Sequence, residues 1–130
     1  MAGQGERGGG ADPRSRYGVA GEQAAERWYR ARGFDVVARN WRSPLGELDL
    51  VVGKAGLLAF VEVKTRTGTS FGGPFEAVGW RKQRKLRTLG EAFVASHRAA
   101  RAASRFRFDV ASVRLDGRAE PDVHVFEDAF

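Results

Sequence analysis

Residues Gly46 to Thr65 have the sequence GELDLVVGKAGLLAFVEVKT, which is the strongest indication of the architecture. Two runs of branched and apolar residues flank the short segment Gly53–Gly56, whose two glycines favour a turn. The pattern predicts two antiparallel strands, Glu47–Val52 and Leu57–Thr65, joined as a hairpin. Because side chains alternate across a strand, the acids before the turn share a face with the acid and the lysine after it.

Charged residues stand in this hairpin where an apolar face is expected. Two apolar residues precede Glu62 and Lys64 on the same face, so an apolar surface becomes ionic within one strand. The turn permits two registers, which place either Asp49 or Glu47 opposite Glu62. Like charges brought together in a partly buried place are costly unless a cation or a basic side chain lies among them.

A divalent metal ion is one solution to that conflict. The carboxylates of Asp49 and Glu62 with the backbone carbonyl of Val63 form an oxygen donor set that suits Mg²⁺ or Mn²⁺ and leaves room for water. Lys64 would then stand beside the metal and orient or deprotonate an attacking water. The alternative is a cross-strand ion pair in which Lys64 neutralises one of the acids, a contact worth about 0–1 kcal/mol at a surface.

The rest of the chain extends the hairpin into an α/β (α+β) domain. Residues 1–16, rich in Gly and Arg without apolar periodicity, predict a flexible tail, and residues 17–130 a single domain. Before the hairpin, the sequence predicts a helix Val19–Arg32, with a stripe of Ala20, Ala24, Trp28 and Ala31, and a strand Phe34–Arg39. After the hairpin it predicts a loop Arg66–Pro74, which includes Phe71, and a helix from about Phe75 to near Ala100. Two strands complete the domain, Arg105–Val113 and Asp122–Glu127, with a turn at Asp116–Gly117 between them. The order αβββαββ predicts a mixed central sheet flanked by helices.

Composition excludes several classes of function. The chain has no cysteine, which rules out disulfides and thiolate metal sites, and its two histidines are too few for a histidine-built metal centre. The longest apolar run is far shorter than the roughly 20 residues that span a bilayer. We therefore expect a soluble cytoplasmic protein without a membrane partner.

Positive charge is concentrated in one part of the chain. The formal net charge is +6, and nine basic residues stand against the single acid Glu91 between Trp80 and Arg107. Such a basic stretch favours a nucleic-acid partner. The candidate nucleic-acid-binding residues are Arg39, Arg42, Arg66, Arg81, Lys82, Arg84 and Lys85.

Two tryptophans and one aspartate each have more than one interpretation. Trp41 and Trp80 are either core or lid residues or platforms on which bases stack. Asp109 faces away from the apolar side of its strand, and Arg107 on the same face is a plausible ion-pair partner, which favours a structural role.

Several motifs in order resemble the YraN-like family of small bacterial proteins described as endonucleases. They run from about Tyr17 to Phe126, nearly the whole predicted domain. The motifs are Gly18-x-x-Gly21-Glu22-x-x-Ala25, Gly33-Phe34, Arg39-Asn40-Trp41-Arg42, Gly46-Glu47-Leu48-Asp49-Leu50, Phe60-Val61-Glu62-Val63-Lys64-Thr65-Arg66, Phe71-Gly72, Ala77-Val78, Lys82-Gln83-Arg84-Lys85-Leu86 and Arg107-Phe108-Asp109-Val110. That family is similar to the PD-(D/E)xK nuclease superfamily, which has a restriction-endonuclease-like fold and includes Holliday-junction resolvases.

The resemblance implies roles for individual residues. Asp49 and Glu62 would be metal ligands and Lys64 the catalytic lysine, with Leu48 in place of the proline of the superfamily motif. Glu22 would complete the site from the first helix, although periodicity alone places it on a solvated face. The resemblance also implies that Gln83 supports the site. Glu47 is either a supporting acid or metal ligand, or an exposed carboxylate beside a turn.

The leading hypothesis is therefore a Mg²⁺- or Mn²⁺-dependent endonuclease acting on DNA, at branched or structured DNA in repair or recombination. Relatives that cut junctions act as dimers, so a homodimer is possible. The first alternative is a non-catalytic nucleic-acid-binding accessory module on the same scaffold. The second is an RNA- or ribosome-associated protein that binds through its basic helix.

Overall fold

The structure, a computed structural model, describes residues 13–67, 78–116 and 120–130, with side chains from residue 18 onward. Its elements are α1 (Pro13–Ala31), β1 (Asp35–Ser43), β2 (Gly46–Lys54), β3 (Leu57–Thr67), α2 (Trp80–Ser96), α3 (Arg98–Arg101), β4 (Arg105–Leu115) and β5 (Asp122–Phe126). Apart from the one-turn helix α3, this is the predicted order.

The five strands form one mixed sheet in the order β1-β2-β3-β4-β5. Strands β1 to β3 are an antiparallel meander, β4 runs parallel to β3, and β5 returns antiparallel to β4. A parallel pair requires a crossover connection, and α2 lies within it. The predicted α+β class with a mixed central sheet and flanking helices is confirmed.

Two apolar layers hold the sheet between the helices. On one face, the buried Ala24, Ala25 and Tyr29 of α1 pack against the sheet. On the other, Leu86, Leu89 and Phe93 of α2 do so. The helices thus lie on opposite sides of the sheet, as apolar stripes on both require.

The prediction for the first helix was wrong in its start and in its buried stripe. The helix begins at Pro13, so residues 13–16, which composition assigned to the tail, are helical. Its buried face carries Gly21, Ala24, Ala25 and Tyr29, whereas Ala31, part of the predicted stripe, is exposed. The sequence pattern identified the small residues of the helix, but alanines occur on both faces of this helix and do not show which face is buried. The true stripe lies beside Glu22.

The second helix is shorter than predicted. It begins at Trp80 and ends at Ser96, and His97 adopts an extended conformation with φ −121° and ψ 115°. The His97 ring stacks on Phe93, with 3.9 Å between the ring centroids. The chain then makes the short helix α3 before it enters β4. Three predicted positions lie outside the described residues: Phe71 in the loop, the helix start at Phe75, and residue 117 in the turn.

Asp109 anchors α1, β4 and the segment after β5. Its carboxylate is fully buried and accepts hydrogen bonds from the Tyr29 hydroxyl at 2.6 Å and from the Asp128 backbone N–H at 2.9 Å. Arg107 adds two bonds, from Nε at 2.8 Å and Nη2 at 2.9 Å. Burial and the adjacent Asp109 charge raise the pKa of Tyr29, so its hydroxyl stays protonated and donates. The structural interpretation of Asp109 is confirmed.

Candidate metal centre and nucleic-acid interface

The predicted site lies where β2 and β3 separate. The pairing of the two strands runs from Lys54–Leu57 at the turn to Leu50–Val61. Beyond that pair, β2 remains bonded to β1 as far as Gly46 and β3 remains bonded to β4 as far as Thr67. We call this divergence the fork. The observed register is the one that continues to Asp49 opposite Glu62, which decides between the two predicted alternatives.

Asp49 fills the fork. Its Oδ2 accepts a hydrogen bond from the Val63 backbone N–H at 2.9 Å, so a side chain of β2 replaces the next rung of the ladder. Burial and, second to it, the charge of Glu62 raise the pKa of Asp49 to about 7, and the hydrogen bond from Val63 opposes this rise. Because the N–H and C=O of a strand residue point to the same neighbour, the Val63 carbonyl is also directed towards the fork.

Glu62 is the second acid at the fork and is only 9% exposed. Its Oε2 lies 3.2 Å from Nζ of Lys82, which reaches it from the first turn of α2. Lys64 follows two residues later on the same face of β3 and is half-buried. No hydrogen bond or ion pair joins the Lys64 ammonium to another residue within the described ranges. The fold brings Asp49 and Glu62 together at the fork, and Lys64 lies two residues beyond Glu62 on the same strand.

Glu22 approaches the fork from α1 and is partly buried. Its Oε1 accepts a hydrogen bond from Asn40 Nδ2 at 3.0 Å. Burial raises the pKa of the Glu22 carboxyl; the Asn40 bond lowers it, and the charges of Glu47 and Glu62 raise it. Periodicity placed Glu22 on a solvated face, and the shifted stripe of α1 explains why it instead borders the sheet. We refer to Glu22, Glu47, Asp49 and Glu62 as the acidic cluster.

A glycine allows α1 to come this close. A Cβ atom at Gly21 would collide with the side chain of Thr65 on β3. The neighbouring residue, Glu22, is therefore held against the sheet at the end of the strand that carries Lys64. The fork is thus reached from both faces of the sheet.

Two cavities meet at Asp49. The one on the α1 side, of about 380 Å³, is lined by Glu22, Asn40 and Asp49 among others. The one on the α2 side, of about 170 Å³, is lined by Asp49, Glu62 and Lys82 among others. Asp49 is therefore accessible from both sides of the sheet.

The donor set of the fork matches a hard cation better than a soft one. The available ligands are the Asp49 and Glu62 carboxylates and the Val63 carbonyl, all oxygen atoms, which suit Mg²⁺ or Mn²⁺ and leave positions for water. No three His, Asp or Glu side chains in the described part of the chain are placed to ligate one metal ion. A cation bound there would rely on two carboxylates, the carbonyl and solvent, and would meet Lys82 as a competitor for Glu62.

Several predicted nucleic-acid contacts are instead engaged within the protein. Arg39 binds both oxygens of Glu26 at 2.8 Å. Arg42 lies 3.7 Å from Glu47 Oε1. Gln83, predicted to support the metal site, instead donates a hydrogen bond from Nε2 to the carbonyl of Val78, just before α2, at 2.7 Å. Arg66, on β3, is half-buried.

The four residues of α2 that were predicted to bind nucleic acid divide into two groups. Lys82 and Lys85 line the cavity that contains Glu62. Arg81 and Arg84 are exposed beside the exposed ring of Trp80. Sequence reasoning assigned all four to nucleic acid and missed the role of Lys82 as counter-ion to Glu62. A lysine at the start of an amphipathic helix, on the side of its apolar stripe, was the available signal.

Asn40 was also missed as a residue of the site. It has a left-handed backbone, with φ 47°, which asparagine tolerates better than most residues. The Asn40 side chain reaches Glu22 from this position in β1. The motif Arg39-Asn40-Trp41-Arg42 contained this residue, but nothing in its spacing indicated an amide directed at α1. Trp41 packs edge-on against Phe93 and belongs to the core.

Together the fold and the fork define a small α+β protein with an acidic cluster and a basic helix on one mixed sheet. No helix among the described residues is long and apolar enough to cross a membrane. A family profile described as "Uncharacterised protein family UPF0102" matches residues 21–113. The chain belongs to this family, the one that its YraN-like motifs indicated.

Individual relatives extend the similarity over most of the chain. A UPF0102 protein of Rhodococcus jostii is 41% identical over 113 residues, which cover 87% of this chain and 94% of the relative. One from Beutenbergia cavernae is 49% identical over 96 residues, 74% of this chain and 80% of the relative. One from Solibacter usitatus is 45% identical over 116 residues, 88% of this chain and 85% of the relative.

Proposed function

We propose that the protein is a divalent-metal-dependent nuclease that hydrolyses phosphodiesters in DNA, at branched or structured DNA. The observation that carries the proposal is the fork, where Asp49 and Glu62 meet on one face with Lys64 next along the same strand. The motif resemblance to the PD-(D/E)xK superfamily supports the same assignment. The fork lies beside the basic helix α2, which suits a polyanionic substrate.

The residues of the fork divide the work of hydrolysis. Asp49, Glu62 and the Val63 carbonyl hold Mg²⁺ or Mn²⁺, which when bound lowers the pKa of water and stabilises charge on the phosphate. Lys64 orients the attacking water through its ammonium group or, in its neutral amine form, removes the proton of that water. Glu22 and Glu47 add negative charge that favours cation binding.

Cleavage assays on linear, flapped and four-way DNA with Mg²⁺ or Mn²⁺ test the proposal. We expect Asp49→Ala to lose cleavage and Lys64→Ala to lose cleavage while it retains DNA binding. Arg114→Ala is a matched control, because Arg114 is an exposed basic residue on the adjacent strand β4. If Lys64→Ala cuts as fast as the parent across these substrates, the assignment of the lysine is wrong. Sedimentation with and without junction DNA tests for the homodimer that a two-fold junction suits.

One observation favours the non-catalytic alternative. Lys82 already lies within 3.2 Å of Glu62, so this acid has a counter-ion without any metal. An accessory module that only binds nucleic acid would keep such a pair and would cleave no substrate with any divalent ion. Binding by the Asp49→Ala variant at parental affinity, together with no cleavage by the parent, would support this second function. A preference for RNA over duplex and junction DNA at fixed salt would indicate the RNA-associated alternative.

A further inference from the structure

The exposed aromatic residue at the start of α2 has no partner in the core. Trp80 is 61% exposed, the most exposed large hydrophobic side chain in the described part of the chain. The other two tryptophans pack within the protein, Trp28 edge-on against Tyr29 and Trp41 against Phe93. Trp80 therefore presents aromatic surface to the solvent, where an external group can reach it.

The surroundings of Trp80 are cationic. The guanidinium carbons of Arg81 and Arg84 lie 5.3 Å and 5.7 Å from the centre of a Trp80 ring. Neither arginine forms an ion pair with a carboxylate among the residues that the structure describes. Some other surface arginines are paired in this way, as Arg30 and Arg39 are with Glu26. The two beside Trp80 are therefore free to meet an external anion.

The chemistry of this surface selects its occupant. An aromatic face flanked by guanidinium groups matches a nucleotide, whose base stacks on the ring while its phosphates meet the cations. A base within a duplex is already stacked between its neighbours and offers no free face. Away from the ends of a duplex, only an unpaired base can lie on Trp80.

The position of Trp80 relates it to the fork. Lys82, two residues later on the same helical turn, contacts Glu62. Because successive residues are 100° apart on a helix, Trp80 and Lys82 project to opposite sides of α2. The helix with its side chains is about 10 Å across, a distance that a few nucleotides of single strand cover. One strand can thus lie on Trp80 and continue to the fork.

We propose that Trp80 is a stacking platform for an unpaired base and selects substrates with a single-stranded segment next to the cleaved phosphate. The inference rests on the proposed function and names its substrate class. Trp80 takes part in binding and positioning; it contacts no reacting atom.

Binding measured without divalent metal tests this inference apart from cleavage. Fluorescence anisotropy of labelled single-stranded oligothymidine and of duplex DNA is compared for the parent, Trp80→Ala and Trp80→Phe. We expect Trp80→Ala to weaken single-strand binding by roughly tenfold or more, as the loss of one stacked base does. Duplex binding should change less than twofold, and Trp80→Phe should retain part of the single-strand affinity. Phe106→Ala is the matched control, because Phe106 is 48% exposed and lies on β4.

Two readouts separate stacking from other roles. Tryptophan emission of the parent should be quenched by oligothymidine and not by an abasic strand of the same length, and Trp80→Phe should lose that quenching. If Trp80→Ala lost equal affinity for single-stranded and duplex DNA, or if Phe106→Ala also lost single-strand affinity, that result would overturn the stacking role while the nuclease proposal stands. So would a dimer that dissociates on Trp80→Ala substitution, because Trp80 would then be covered by a second copy. If the parent binds no nucleic acid, both proposals fail.

Discussion

Replacing Asp49 by asparagine removes one charge from the acidic cluster and should stabilise the metal-free protein at and above neutral pH. The pKa of Asp49 is raised from 3.8 to about 7, first by burial and then by Glu62. The folded state therefore holds a proton that the unfolded chain releases. Stability contributed by the neutral form is complete below about pH 4 and is lost as the pH rises to about 7.

The size of the effect follows from the shift. Each pKa unit corresponds to about 1.4 kcal/mol, so the full shift amounts to about 4 kcal/mol at pH 8. Asparagine keeps a carbonyl that can accept the Val63 N–H, so the substitution removes the charge and leaves the bond. We expect Asp49→Asn to raise the free energy of unfolding at pH 8 by about 2–4 kcal/mol and at pH 4 by much less.

Urea unfolding followed by circular dichroism in EDTA measures this difference. With a urea dependence of about 2 kcal/mol per molar, the midpoint of Asp49→Asn at pH 8 should lie about 1–2 M above that of the parent. Asp122→Asn controls for loss of an exposed carboxylate on β5. Equal midpoints for Asp49→Asn and the parent at pH 8, or the same gain at both pH values, would refute the argument.

Three further substitutions probe how the site is held. Tyr29→Phe leaves the buried Asp109 carboxylate one donor short and should cost about 1–3 kcal/mol of stability by urea unfolding; a neutral effect would contradict the role of that bond. Gly21→Ala forces a methyl group into Thr65 and should cost about 1–3 kcal/mol, and Thr65→Ala in the same chain should recover part of the loss. Glu26→Gln breaks its arginine bonds, which hold the Glu26 pKa at about 2, and should cost up to about 1 kcal/mol at pH 7. The difference from the parent should shrink as the pH falls from about 5 to 2, and a constant difference would contradict this account.

The sequence allowed the sheet and its acids to be predicted because strand patterns are local. A two-residue alternation and a glycine-rich turn place Asp49 and Glu62 on facing strands whatever the rest of the chain does. The parallel partner of β3 was not predictable in the same way, since β4 lies beyond a helix and its register depends on tertiary packing.

Helical features were the least predictable. The stripe of α1 was misplaced because alanine and glycine fit either face, and its true angle is set by the close approach of Gly21 to Thr65. The end of α2 at Ser96 was missed because His97 leaves the helix while its ring stacks on Phe93, a contact within the packed core. The contacts of Lys82 with Glu62 and of Asn40 with Glu22 join distant parts of the chain. No spacing in the sequence encodes these contacts.

The connection of β3 to β4 also shapes how the protein folds. Strands β1 to β3 are neighbours in sequence and can pair early, whereas the joining of β4 brings Ser104 to Gly56 across 48 positions. Closing such a loop is slow relative to hairpin formation. We expect the hairpin to bring Asp49 and Glu62 together before α2 delivers Lys82, so mutual repulsion of the carboxylates opposes the earliest step of folding. We therefore expect the residues proposed for chemistry to slow the assembly of the sheet that carries them.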